Sequence, residues 1–350
     1  MVFVAVLVAV FAAAAGTAHA DPPAPTDYLS RVVSIEPAVP GIAADMIGGD
    51  SFFRLTVTAP VEVIVLGYQS EPYLRFLPGG DVDENELAPT TYLNVYRYTM
   101  PKLPAEADAT APPRWRTVAS GGTWVWHDHR THWMTTVPPP DKHPGDQILE
   151  SAIELRVDGN PVTITVTSTW MPAPSDAPAL LGLLVGLVLG ICAAFVLVSS
   201  RARESLRRWI TGAAVVGSIA FASIAASIVG LWQTWSLPAA TGPPRTAWAL
   251  PITALAAALV GSLAVARHWS RFAFAGVVLV AAAQLATWST VRRAVLDHAI
   301  LPTNAPFWFD RSVTAGVGAF AVAIGLAALG SVGRMLVAPA RAVAQPSASM

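Results

Sequence analysis

From residue 179 onward the chain carries five apolar runs, each near the length that the hydrocarbon core of a bilayer demands. They lie at about 179–198, 210–232, 247–266, 272–288 and 313–336. A helix rises about 1.5 Å per residue, so roughly 20 apolar residues cross a core roughly 30 Å thick. Inside that core every backbone N–H and C=O must be satisfied within the segment itself, which makes each run a helix. Only 13% of the chain is charged, against roughly 25% in soluble domains. The expectation is an all-α five-helix transmembrane domain over 175–337, with lipid bilayer as its first partner.

Charge divides the chain further. Residues 21–176 hold 20 Asp and Glu against 10 Lys and Arg, whereas the rest holds 12 arginines and only Glu204, Asp297 and Asp310. The loops RARESLRR and RHWSR are short and basic, which marks them as cytoplasmic. That rule puts the acidic N-terminal domain outside a plasma membrane and the C-terminus in the cytoplasm. Arg292 and Arg293 stand on the wrong side for it. The tail, 338–350, reads as disordered. No basic surface interleaved with aromatics points to nucleic acid.

MVFVAVLVAVFAAAAGTAHA, residues 1–20, reads as a secretory signal peptide with an Ala18-His19-Ala20 site. Its positive n-region is missing, so an uncleaved anchor is the alternative. Cleavage after Ala18 would instead leave His19 as an N-terminal copper chelator. Cys192 is the only cysteine and lies in an apolar run, which excludes an intramolecular disulfide and any cysteine-based metal cluster.

Between 21 and 174 the pattern is β. RVVSIEP, SFFRLTVTA, VEVIVLGY, TYLNVYRYT, ESAIELRVDG and PVTITVTSTW are short runs rich in Val, Ile, Thr and aromatics, several alternating with period two. Asp158-Gly159-Asn160 between two of them is a hairpin signal. Short strands at this spacing predict an all-β extracytoplasmic sandwich.

One stretch of that domain concentrates chemistry: TWVWHDHRTHWM, residues 123–134. If it is extended as far as His129, His127 and His129 share a face, roughly 7 Å apart. A turn at Arg130-Thr131 would bring His132 and Met134 onto the same ion. Imidazole with thioether suits copper, and three imidazoles suit zinc. His143 and His298 are outlying ligand candidates, and Asp128 would orient a ligand ring. The other reading is an aromatic hairpin in which the imidazoles pack on tryptophan and Asp128 pairs with Arg130.

Asp81-x-Asp83-x-Asn85 resembles the start of a calcium loop, but its glycine and terminal glutamate are misplaced. A solvated acidic loop fits better, with Tyr73 and Arg75 packing or bonding at the sandwich edge. Within the spans Gln284 is the only strongly polar side chain well inside, which disfavours a proton-coupled transporter. Gly186, Gly190, Gly212 and Gly217 suit close helix packing. No nucleophile–base pair or carboxylate pair marks an enzyme.

GGDSFFRLTV, VLGYQSEPYLRF, PTTYLN, PPRW and WHDHRTHWM, followed by five spans, resemble a group of actinobacterial membrane proteins with an HDHR-x-HWM motif. The architecture also resembles the CopC–CopD and YcnI-type copper-handling envelope proteins, a likeness that implies copper binding by the exported domain. The preferred mature N-terminus, Asp21, departs from the ligating histidine of those domains. Two functions follow. One is a membrane-anchored envelope protein whose β domain binds a ligand, with Cu or Zn at His127, His129, His132 and Met134. The other is a metal-free accessory subunit that docks another envelope membrane protein.

Overall fold

A computed structural model describes residues 22–135, 137–199, 205–242, 245–266 and 270–343. The signal-peptide reading and the last residues of the tail therefore fall outside the described residues. The N-terminal half is an antiparallel β domain of two sheets. Its strands are β1 (Tyr28–Glu36), β2 (Ile42–Ile47), β3 (Phe52–Val57), β4 (Val63–Leu66), β5 (Pro72–Phe76), β6 (Val82–Asn85), β7 (Trp115–Ala119), β8 (Thr123–Trp126), β9 (Gln147–Val157) and β10 (Asn160–Trp170). Seven form one sheet in the order β1-β10-β9-β4-β5-β6-β7, and β2-β3-β8 form the other.

Alternation builds the core between them. Along β10, Val162, Ile164, Val166 and Ser168 point inward, and their intervening neighbours face outward. The three aliphatic residues meet Phe53, Leu55, Leu74, Phe76 and Trp126 in one buried cluster. Each fully buried Phe or Leu contributes about 1.5–3 kcal/mol relative to exposure. The expected hairpin closes β9 on β10, with Val157 opposite Asn160. Asp158 and Gly159 both have positive φ, 45° and 83°, the backbone of the two-residue turn that matches strand twist.

Two expectations fail here. TYLNVYRYT is not a strand: Pro89–Leu93 is a short helix, α1, with Pro at its start and Asn94 as its C-cap. Pro supplies helical φ and lacks an N–H that the first turn would leave unpaired anyway. Asp81-x-Asp83-x-Asn85 is neither a calcium loop nor a solvated one. Val82–Asn85 is β6, paired on both sides, and Asp83 and Asn85 are buried. Asp83 takes a 2.7 Å bond from Arg75, as expected of a sandwich edge, and another from Thr117.

Among the described residues, five helices are long and apolar enough to cross a membrane. They are α2 (Ala177–Ser199), α3 (Ser205–Ser236), α4 (Thr246–Ala266), α5 (Arg271–Val291) and α7 (Phe307–Val343), with the single turn α6 (Ala294–Asp297) before the last. Helix α7 starts before the expected span and runs through 338–343, into the tail read as disordered. Ala338, Ala340 and Arg341 are strong helix formers, and composition alone hid this.

Small residues set the bundle's closest contact. A Cβ on Gly182 would lie 2.0 Å from the Ser312 carbonyl oxygen, and one on Gly186 would lie 1.9 Å from that of Gly316. Gly190 meets Ala323 and Gly212 meets Val265, but Gly217 faces open space.

The β domain sits on the end of the bundle where α3 and α5 finish and α4 and α7 begin. Thr26 and Ile300 exchange backbone hydrogen bonds of 3.0 and 2.8 Å. Asp27 accepts from Ala299 N at 2.9 Å and lies 3.0 Å from His298 Nδ1. Leu237, between α3 and α4, packs with Ile47, Phe52 and Val125 of the domain. Gly49, at φ 82°, lets the β2–β3 turn approach so closely that a Cβ there would lie 2.7 Å from Ile300.

Candidate functional site

Strand β8 ends at Trp126, so the extended geometry that put His127 and His129 on one face stops short. The reason is Asp128. Its Oδ1 accepts from Arg130 N at 3.0 Å, and its backbone carbonyl accepts from Thr131 N at 2.9 Å. A short polar side chain that bonds its own backbone two residues on offers the chain a turn in place of a ladder. The chain does turn at Arg130-Thr131.

That turn is held from every side. Asp128 is fully buried and takes 2.9 and 2.8 Å bonds from Arg130 Nε and Nη2, and 3.0 Å from the Trp126 indole. Burial pushes its carboxyl up, but the Arg130 guanidinium and these donors outweigh it and hold the group below the usual carboxylate range. Arg130 also donates to the Leu66 carbonyl at 3.1 Å and lies 5.1 Å over the Tyr68 ring. The Tyr68 hydroxyl donates to Asn94 and accepts from His129 N at 2.8 Å. Ser30 and Ser151 donate to the carbonyls of Thr131 and Arg130. The ion pair expected of the aromatic-hairpin reading is therefore present, as the anchor of the loop.

The three imidazoles have different surroundings. His127 is buried, stacked on Phe52 with ring centroids 4.2 Å apart, and its Nδ1 meets the Ser51 carbonyl. His129 is half-buried, stacked on Tyr68 at 5.9 Å, with Nε2 2.8 Å from the Tyr96 carbonyl. His132 is 1% exposed. Its Nδ1 lies 3.1 Å from the Trp133 carbonyl, and its Nε2 is buried with no hydrogen-bond partner among the described residues. The His129 and His132 rings stand 5.6 Å apart and nearly perpendicular. Burial, then the Arg97 charge, pushes the His132 pKa down to about 3, so the ring is neutral at ordinary pH.

Among the described residues no three of His, Cys, Asp and Glu are grouped as a metal ion would need. His127 is turned to Ser51 and Phe52, and Met134 is half-buried two residues beyond His132. His143 is exposed and 3.8 Å from Asp146, and His298 faces Asp27. What the fold does bring together is the pair His129 and His132. Compared with known protein families, curated proteins and solved structures, the chain matches none.

Sequence reasoning missed two groups of residues. Asp50 and Arg97 form a buried ion pair behind His132, in which Asp50 also accepts from Thr26, and Arg97 lies 5.0 Å over Tyr98. Burial raises the Asp50 carboxyl, against the pull of Arg97. The one cue was an arginine between tyrosines in a segment otherwise strand-like. The second group is in the bundle. Arg292 gives Nη2 to both oxygens of Asp310, 2.8 Å each, and Nη1 to Gln233, and all three residues are buried. Arg292 is thus paired with an anion inside the bundle.

Proposed function

We propose that the protein is a membrane-anchored envelope protein whose β domain faces outward and receives a ligand at His129 and His132, with Cu or Zn as the ligand that fits best. The observation that carries this reading is the Nε2 of His132: buried, neutral, unpartnered and beside a second imidazole. Burying a polar nitrogen without a partner costs about 1–3 kcal/mol, so a bound group there recovers an interaction that the fold otherwise forgoes. A neutral imidazole is the form that binds a soft or borderline metal. Two imidazoles with the Met134 thioether suit copper, whereas zinc needs further nitrogen, oxygen or thiolate ligands carried by the metal's donor. The rigid loop around Asp128 supports the geometry, since preorganised ligands lose little on binding.

The test is titration of the purified full chain with Cu(I), Cu(II) and Zn(II) against a competing chelator. About one ion per chain is expected, lost when His129→Ala and His132→Ala are combined. No uptake at micromolar metal would sink the reading.

A second reading is an accessory subunit, favoured by the exposed Tyr96, Tyr98 and Met100 next to the same loop. It predicts a membrane partner that co-purifies with the chain and is lost on replacing Tyr96 and Met100 by Ser.

A further inference from the structure

A half-open crevice of ≈ 560 Å³ lies between the β2–β3 hairpin and the bundle loops that carry the domain. That volume falls within the range of small-molecule sites, about 300–1,000 Å³. Its lining divides by character. On the domain side stand Asp45 and Arg54; on the bundle side stand Trp235, Asn304 and Phe307, with Met46 adding apolar surface.

Depth identifies the surroundings. Trp235 is the next-to-last residue of its span and Phe307 the first residue of another. The crevice therefore opens at the level where the spans leave hydrocarbon for headgroups. Trp235 is 79% exposed and Trp308 60%, and exposed tryptophans at span ends are what an interfacial belt looks like. Apolar acyl chain and polar headgroup are both within reach of such an opening.

Charge selects the headgroup. Arg54 holds Asp45 through Nε and Nη2 at 2.7 and 2.6 Å. Its Nη1 and the outer lone pairs of the carboxylate are left for another group. The rim thus offers one cation and one anion side by side, with no net charge. An anionic headgroup alone would meet Asp45 as a like charge, and a cation alone would meet Arg54. A zwitterion with a phosphate and a primary ammonium satisfies both, phosphate on Arg54 and ammonium on Asp45.

We propose that this crevice is a binding site for an ethanolamine phospholipid from the leaflet on the β-domain side. The headgroup lies across Asp45 and Arg54, and the start of the acyl chains runs along Trp235 and Phe307. The site is separate from the histidine loop, and its test does not depend on metal.

The full chain, purified in detergent and delipidated, is mixed with dioleoyl phosphatidylethanolamine, dioleoyl phosphatidylglycerol or soluble glycerophosphoethanolamine, and retention is read by native mass spectrometry. One phosphatidylethanolamine per chain is expected, held about tenfold more tightly than phosphatidylglycerol, with no competition from the soluble headgroup. Asp45→Asn with Arg54→Gln should erase the preference. An exposed ion pair contributes little to folding, so this variant should keep the parent melting temperature. Trp235→Ala, which leaves the pair untouched, should weaken retention of the lipid. Equal retention of the two lipids, an unchanged preference in the double variant, or equal binding of the soluble headgroup would overturn the proposal.

Discussion

Asp128 and His132 carry most of what is distinctive in the β domain, and they do so in opposite ways. Asp128 is a buried charge with all its partners; removing it leaves the half-buried Arg130 without its counter-charge. Breaking such a pair costs about 3–5 kcal/mol, so Asp128→Ala should lower the thermal midpoint of the full chain by several degrees and loosen the 127–132 loop to proteolysis. His132 is a buried base without a charge. Its folded pKa of about 3 lies below the unfolded 6.5, so the unfolded chain takes up a proton that the folded chain refuses. Stability from this group is fully present above about pH 6.5 and falls as pH drops toward 3. At pH 5 the loss is about 2 kcal/mol. Denaturation of the metal-free chain at pH 7 and pH 5 should show it, and His132→Leu should flatten the difference. The sequence pointed to this loop and to the Asp128–Arg130 pair, because both are local. It did not reveal which imidazoles meet, because that rests on Asp128 bonding its own backbone and on carbonyls of Ser51 and Tyr96, far away in the chain.

At the scale of elements, long alternating strands and long apolar helices were legible, and short ones were not. β9 and β10 are 11 residues each and alternate over most of that length, enough for period two to stand out. β6 is four residues of mostly polar type, VDEN, inside a sheet where Arg75 and Thr117 satisfy its carboxylate. Nothing local distinguishes that from a solvated loop. In TYLNVYRYT, β-favouring residues were overridden by Pro89 and by Glu71, which accepts a 2.5 Å bond from the Thr90 hydroxyl. Glycine spacing was a better guide. Gly186→Leu should drive α2 from α7 and cost the bundle its stability, whereas Gly217→Leu should stay within about 0.5 kcal/mol of the parent, as a lipid-facing surface change does. Thermal melts of the two variants in one detergent decide it.

For the molecule as a whole, the notable property is that the β domain is seated on the bundle rather than tethered beside it. Backbone pairing at Thr26–Ile300, the Asp27–His298 contact and Leu237 under Phe52 make the seat. Phe52 also carries the His127 ring, so the histidine loop and the bundle share one side chain. Asp27→Ala with His298→Ala should increase cleavage in the 171–176 linker by added protease while leaving the domain's own melting unchanged. The seat was not readable from sequence, because its contacts join residues more than 100 positions apart or depend on a turn at Gly49. The division into an acidic β domain and an apolar helical one was readable, because composition and period change together near residue 175.

The most direct test of the proposed metal site is which histidines it depends on. Metal uptake by single variants His127→Phe, His129→Ala and His132→Ala of the full chain should separate them: the Phe variant keeps the stack on Phe52 and binds as the parent does, and the two Ala variants lose the ion. Loss of binding in His127→Phe with retention in His132→Ala would contradict the assignment of the site to His129 and His132.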